Sequence, residues 1–179
     1  MPSHLWQSAA SYAAWAHRHQ FRKDRTTPYV AHVFRVAMTV RDVFGCDDEA
    51  TLAAALLHDT IEDTPVDFDD IDKRFGREVA ELVAALTKDM RLVEAEREPA
   101  YDEQLKRASW KAKLIKLADT YDNLSDRLAQ GKNGSTLRKM RERCQRSIAI
   151  AEPDRDNEYI ARGIECVRGL VEASGSLKV

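Results

Sequence analysis

Apolar residues recur at three- and four-residue spacings in almost every readable stretch of this chain, and no stretch alternates convincingly with a period of two. The first spacing is that of one face of a helix and the second that of one face of a strand. The sequence therefore predicts an all-α fold with no sheet. With 179 residues, 44% of them apolar and few glycines or prolines, the chain can bury a real core and is not disordered.

Helices are expected over 3–20, 28–45, 48–64, 68–75, 79–87, 110–128, 136–151 and 159–173. Thr27-Pro28 has the form of an N-cap followed by Pro at the first helical position. Asp47 or Asp48 can cap the third helix, and Pro65 ends it, because Pro disfavours helical geometry in the residue before it. Segment 21–27 is polar and basic and predicts a loop; 131–134 predicts another. Segment 88–108 is highly charged and contains Pro99, which predicts a mobile connection with some helix.

Composition excludes several functional classes. The 28 basic and 30 acidic residues leave a net charge of -2, without the basic excess of a general nucleic-acid binder. Cys46, Cys144 and Cys166 are widely spaced and form no C-x-x-C, so neither a disulfide framework nor a thiolate zinc site is expected, and a reducing cytoplasm fits. The first residues carry no secretory pattern, and no apolar run is long enough to span a bilayer.

The third expected helix ends in Leu56-Leu57-His58-Asp59-Thr60-Ile61-Glu62-Asp63-Thr64. Three acids and an imidazole crowd what reads as a helix C-terminus, where the macrodipole disfavours negative charge. Asp59 and Asp63 stand one turn apart and repel by a few tenths of a kcal/mol. A divalent cation would reverse the sign of each of these terms. Read alone, His58-Asp59 also suits a buried histidine satisfied by its neighbour. Adjacent helical residues diverge by about 100°, so further ligands must come from other helices, as in metal-binding bundles.

Two residues qualify. His32 lies in the apolar pattern of Val30, Val33, Phe34 and Val36, where a ring needs a partner, be it an ion or a backbone carbonyl. Asp119 ends the apolar approach Leu114 to Ala118, where the alternative to an ion is a pair with Lys116. Asn123 follows Asp119 by one turn on the same face. Two imidazoles and two carboxylates suit Mn²⁺, Fe²⁺ or Zn²⁺, and Glu62 and Asp63 stand close enough to orient or deprotonate a water. Arg22, Lys23 and Arg25 precede His32 in the chain and can hold phosphate. A third basic group, Arg138, Lys139, Arg141, Arg143 and Arg146, is interrupted by Glu142 and reads first as a solvated helical face.

In order, these residues form H-x-x-Q-x-R-K at 17–23, P-Y-V-x-H at 28–32, L-L-H-D-x-x-E-D-T at 56–64 and K-L-A-D-x-x-x-N at 116–123. That succession resembles the HD-domain metallohydrolases, and within them the hydrolase domain of RelA/SpoT-type proteins, with a length like that of small stand-alone alarmone hydrolases. The resemblance implies a single-domain HD-type helical bundle over 1–179, with a motif-bearing core at 17–130 and C-terminal helices over 135–174. It implies one Mn²⁺ held by His32, His58, Asp59 and Asp119, and Glu62 and Asp63 as the catalytic pair. It implies hydrolysis of the small nucleotides ppGpp and pppGpp to GDP or GTP and pyrophosphate, the chemistry that ends a stringent response. It places Arg22, Lys23, Asn123 and Lys139 near substrate, with no nucleic acid or membrane partner. Thr120, Asp122 and Thr26 depart from residues common in the family at those positions. An HD phosphohydrolase releasing orthophosphate from NADPH or another nucleotide is the enzymatic alternative. A non-catalytic helical binding module is the alternative of another class.

Overall fold

The computed structural model describes residues 4–131 and 134–176. Among them run the α-helices α1 (Leu5–Ala16), α2 (Val30–Met38), α3 (Glu49–Leu57), α4 (Thr60–Asp63), α5 (Phe68–Phe75), α6 (Arg77–Leu86), α7 (Glu94–Arg107), α8 (Trp110–Ala129), α9 (Ser135–Ala151) and α10 (Glu158–Ser176). A π-helical turn, Thr39–Val43, prolongs α2, and a 3₁₀ turn, Glu152–Asp154, follows α9. No strand occurs among the described residues, only an isolated antiparallel bridge between Phe21 and Pro28. Met1, Pro2 and Ser3, and with them the expected first residue of α1, lie outside the described residues, as do Lys132 and Asn133 of the loop expected at 131–134.

The core forms around α8, which buries Leu114, Ile115, Leu117, Ala118 and Leu124 and packs against α2, α3, α6, α9 and α10. Each fully buried leucine or isoleucine stabilises the fold by roughly 1.5–3 kcal/mol. Helix α3 is apolar on every side and buries all of Thr51 to Leu57, as befits a helix enclosed by neighbours. Asp48 caps it by accepting the Thr51 N–H at 2.9 Å. Between α5 and α6 the chain turns at Gly76, whose φ of 87° is open to glycine and strained for other residues. Gly163 of α10 lets that helix lie close against α8, since an added Cβ would stand 3.2 Å from Leu117 Cδ1. Gly163→Val is expected to destabilise the fold by about 1–3 kcal/mol through overpacking, read as a melting temperature lowered by several degrees.

Three expectations are corrected. Thr27 does not cap α2: its hydroxyl donates to Asp24 at 2.6 Å and its carbonyl accepts from the Arg22 N–H at 2.8 Å, so it belongs to the preceding turn. The helix expected to reach Pro65 breaks at His58-Asp59, where α3 ends and α4 begins. The His58 ring and the Thr60 hydroxyl bond the carbonyls of Ala55 and Leu57 at 2.8 and 2.6 Å. These side chains satisfy carbonyls that a continued helix would have used. Segment 88–108 contains an ordered 14-residue helix, α7, with Pro99 inside it. Pro99 costs roughly 3 kcal/mol in a helix interior. Burial of Tyr101 and Leu105 offsets that cost, and Gln104 donates to the Ala84, Ala85 and Thr87 carbonyls at the end of α6.

Candidate active site

The break after α3 presents His58 and Asp59 side by side, while α2 supplies His32 and α8 supplies Asp119. Both imidazoles are almost fully buried. Ligand atoms of His32, His58 and Asp59 all lie within 4.8 Å of one another. His32 Nε2 stands 3.6 Å from Asp59 Oδ2 and 3.3 Å from Asp119 Oδ1. His58 Nε2 stands 3.1 Å from Asp59 Oδ2 and 3.9 Å from Asp119 Oδ1. Four helical elements thus bring the four sequence-predicted ligands to one place.

The far side of each ring explains its orientation. His32 Nδ1 donates to Asp122 at 2.7 Å, and His58 Nδ1 donates to the Ala55 carbonyl. With the proton on Nδ1, a neutral ring offers its Nε2 lone pair to the shared space, the arrangement used to aim histidines at a metal. His58 Nε2 is buried and makes no hydrogen bond. Burial disfavours a charged His58, yet the Asp59 and Asp119 carboxylates outweigh it and push the ring up to about 9. The same pair of carboxylates favours any positive charge placed between the rings, so this donor set fits a divalent cation.

Surrounding groups hold the acids. Tyr29 donates to Asp59 at 2.7 Å, and burial together with Asp59 raises its pKa so that it stays a donor. Lys116 Nζ donates to Asp119 Oδ2 at 2.8 Å and Asn123 Nδ2 to Asp119 Oδ1 at 2.6 Å. The pairing of Asp119 with Lys116 therefore coexists with its place beside the imidazoles. Asp122 is the residue that sequence reasoning missed. It was legible as a departure from the family pattern, but its bonds to His32 and to Arg35 Nε and Nη2 come from α2, far away in the chain.

Glu62 and Asp63 sit on α4, the short helix that follows Asp59, and line the same cavity as the four candidate ligands. Glu62 is half-buried and accepts the Lys88 N–H at 2.9 Å. Asp63 is exposed at the mouth, and its backbone carbonyl accepts from Gln20 at 2.6 Å. Arg22 donates to Asn123 and Asp126 at 2.9 and 3.0 Å and, with Lys23, lines an adjoining cavity that Asn123 also borders. Lys139 is exposed on α9 and does not border these cavities; Met140 and Arg143 of the same helix do. Among the described residues no helix is long and apolar enough to cross a membrane.

The chain is similar to known proteins. The chain is 47% identical over 127 residues to the guanosine-3′,5′-bis(diphosphate) 3′-pyrophosphohydrolase MESH1 of Drosophila melanogaster, covering 70% of each chain. It is 38% identical over 156 residues to the MESH1 protein of Xenopus tropicalis, covering 87% of each. A solved structure described as a metazoan ortholog of SpoT that hydrolyses ppGpp superposes with a TM-score of 0.82 at 32% identity, covering 99% of each chain. The match to the HD domain family spans residues 9–149, which include every helix that supplies the His and Asp cluster. That match covers well over half of the chain and takes in the paired His58-Asp59 at the break after α3, the histidine of α2 and the aspartate of α8, and the chain belongs to the HD domain family.

Proposed function

We propose that this protein is a guanosine-3′,5′-bis(diphosphate) 3′-pyrophosphohydrolase, acting as one domain in the cytoplasm on ppGpp and pppGpp. The observation that carries the reading is the Glu62-Asp63 pair on the turn that follows His58-Asp59, inside the cavity the four ligand residues share. The MESH1 relatives, named for this reaction, support it. His32, His58, Asp59 and Asp119 would hold one Mn²⁺, which when bound supplies Lewis acidity toward a phosphoryl oxygen and toward water.

The chain's own residues account for the rest. Glu62, fixed by the Lys88 N–H, receives the proton of the attacking water, and Asp63 at the mouth orients that water. Water oxygen bonds to the phosphorus attached at the 3′ position. The bond from that phosphorus to the 3′ oxygen breaks, the 3′ oxygen takes a proton, and GDP and pyrophosphate leave. Arg22 and Lys23 border the nucleotide, and Asn123 ties Arg22 to Asp119, so nucleotide contact and the metal ligand move together.

Incubation of the pure protein with Mn²⁺ and ppGpp is expected to release GDP and pyrophosphate in equal amounts, and EDTA is expected to stop it. Release of orthophosphate, or no release above the EDTA control, overturns the reading.

A further inference from the structure

The basic residues of α9 do not form one solvated face. Arg138 is exposed and pairs with Glu142 on its own helix. Arg143 and Arg146 instead border a second cavity, between α7, α8 and α9. This cavity adjoins the metal-site cavity, for Lys88, Tyr101, Lys116, Asp119, Asn123 and Arg143 line both. A ligand held beside Asp119 can therefore extend into it.

The charges around this annex are unevenly matched. Lys88 donates to Glu98 at 2.6 Å. Arg146 lies 3.6 Å from Glu98 and 3.9 Å from Asp102. Lys116 is taken by Asp119 at 2.8 Å. Among the described residues, Arg143 has no carboxylate within ion-pair distance and donates no hydrogen bond. Glu98 feels its charge only at longer range, so Arg143 is the cation of the annex that no carboxylate holds in a close pair, and it borders both cavities.

We propose that Arg143 is a specificity-determining residue that binds a phosphate of the substrate other than the one attacked by water. This rests on the nucleotide reading given above. Two groups of ppGpp meet the description: the outer phosphate of the 3′ pyrophosphate group and the 5′ diphosphate. A planar guanidinium offers paired donors to either.

The test compares wild type, Arg143→Ala, Arg143→Lys and, as a control off the cavity, Arg138→Ala. With Mn²⁺ and ppGpp, Arg143→Ala is expected to raise KM roughly tenfold, the size of a lost charge-assisted hydrogen bond at a partly solvated site, with little change in kcat. Arg143→Lys should recover part of the loss, and Arg138→Ala should match wild type. Calorimetric binding of ppGpp to Glu62→Gln protein should weaken to the same extent when Arg143→Ala is added. Guanosine 3′-diphosphate, which lacks the 5′ phosphates, identifies the group bound. A vanished Arg143→Ala effect on that substrate assigns the 5′ diphosphate, and a retained one assigns the outer 3′ phosphate. KM and binding within about twofold of wild type for Arg143→Ala, or a fall in kcat alone, overturns the assignment and leaves the functional reading standing. A wild type that neither binds nor hydrolyses ppGpp overturns both.

Discussion

Glu62→Gln is expected to lower turnover of ppGpp by about 10²–10⁴-fold, the range for loss of a general base, while the protein keeps its metal. The amide preserves size and can still accept the Lys88 N–H, which separates lost basicity from lost structure. The pH dependence tests the same group. Burial pushes the Glu62 carboxyl up, the Lys88 N–H pulls it down, and the Asp59 charge pushes it up again, leaving it above the ordinary glutamate range. A base works only when ionised, so kcat/KM falls as pH drops through that raised value, at a higher pH than an exposed glutamate would give. The glutamine variant lacks this acid limb. Metal content measured by elemental analysis beside kcat decides the case: metal loss in proportion to activity would remove Glu62 from the proton-transfer role.

His58→Ala is expected to lose metal and activity together. Removing a group that merely supports a ligand costs about 10–100-fold in metal affinity, and His58 is placed as a ligand, so its loss should exceed about 100-fold. The acids Asp59 and Asp119 would then face each other with one imidazole between them instead of two. Titration of metal into both variants separates the roles: His58→Ala fails to bind where Glu62→Gln binds like wild type. Equal retention in both would remove His58 from the ligand set.

The helices were legible because their cores are periodic, and the residues that the fold brings together as candidate ligands because each breaks its local pattern in the same chemical direction. His32 interrupts an apolar face with no local partner in its helix, and Asp119 ends one with Lys116 as its local partner. The break after Leu57 was not legible, since it arises from His58 and Thr60 side chains competing for carbonyls within an otherwise helical run. It also alters the electrostatic argument, because Glu62 and Asp63 belong to a short separate helix rather than to the end of a long one. Helix α7 was hidden by Pro99 and a high charge density. Its stability comes from Gln104 and Tyr101 bonding the end of α6, contacts no local window contains. The division of α9 into a solvated part and an annex-facing part follows from how that helix is rotated against α8, which its charge pattern alone leaves open.

Helix α8 carries Lys116, Asp119, Asp122, Asn123 and Asp126 on one continuous 20-residue rod through the core. Those residues supply and brace a proposed ligand, orient His32 and seat Arg22 all at once. A rod with so many simultaneous duties leaves little freedom for gradual change, since any shift disturbs hydrolysis and nucleotide contact together. Divergence toward new nucleotides is therefore channelled to parts that border the site without holding its acids: the residues of α7 and α9 that border the annex. Libraries confined to those segments should yield altered substrate preference with the hydrolytic centre intact, whereas libraries on α8 should yield mostly inactive protein.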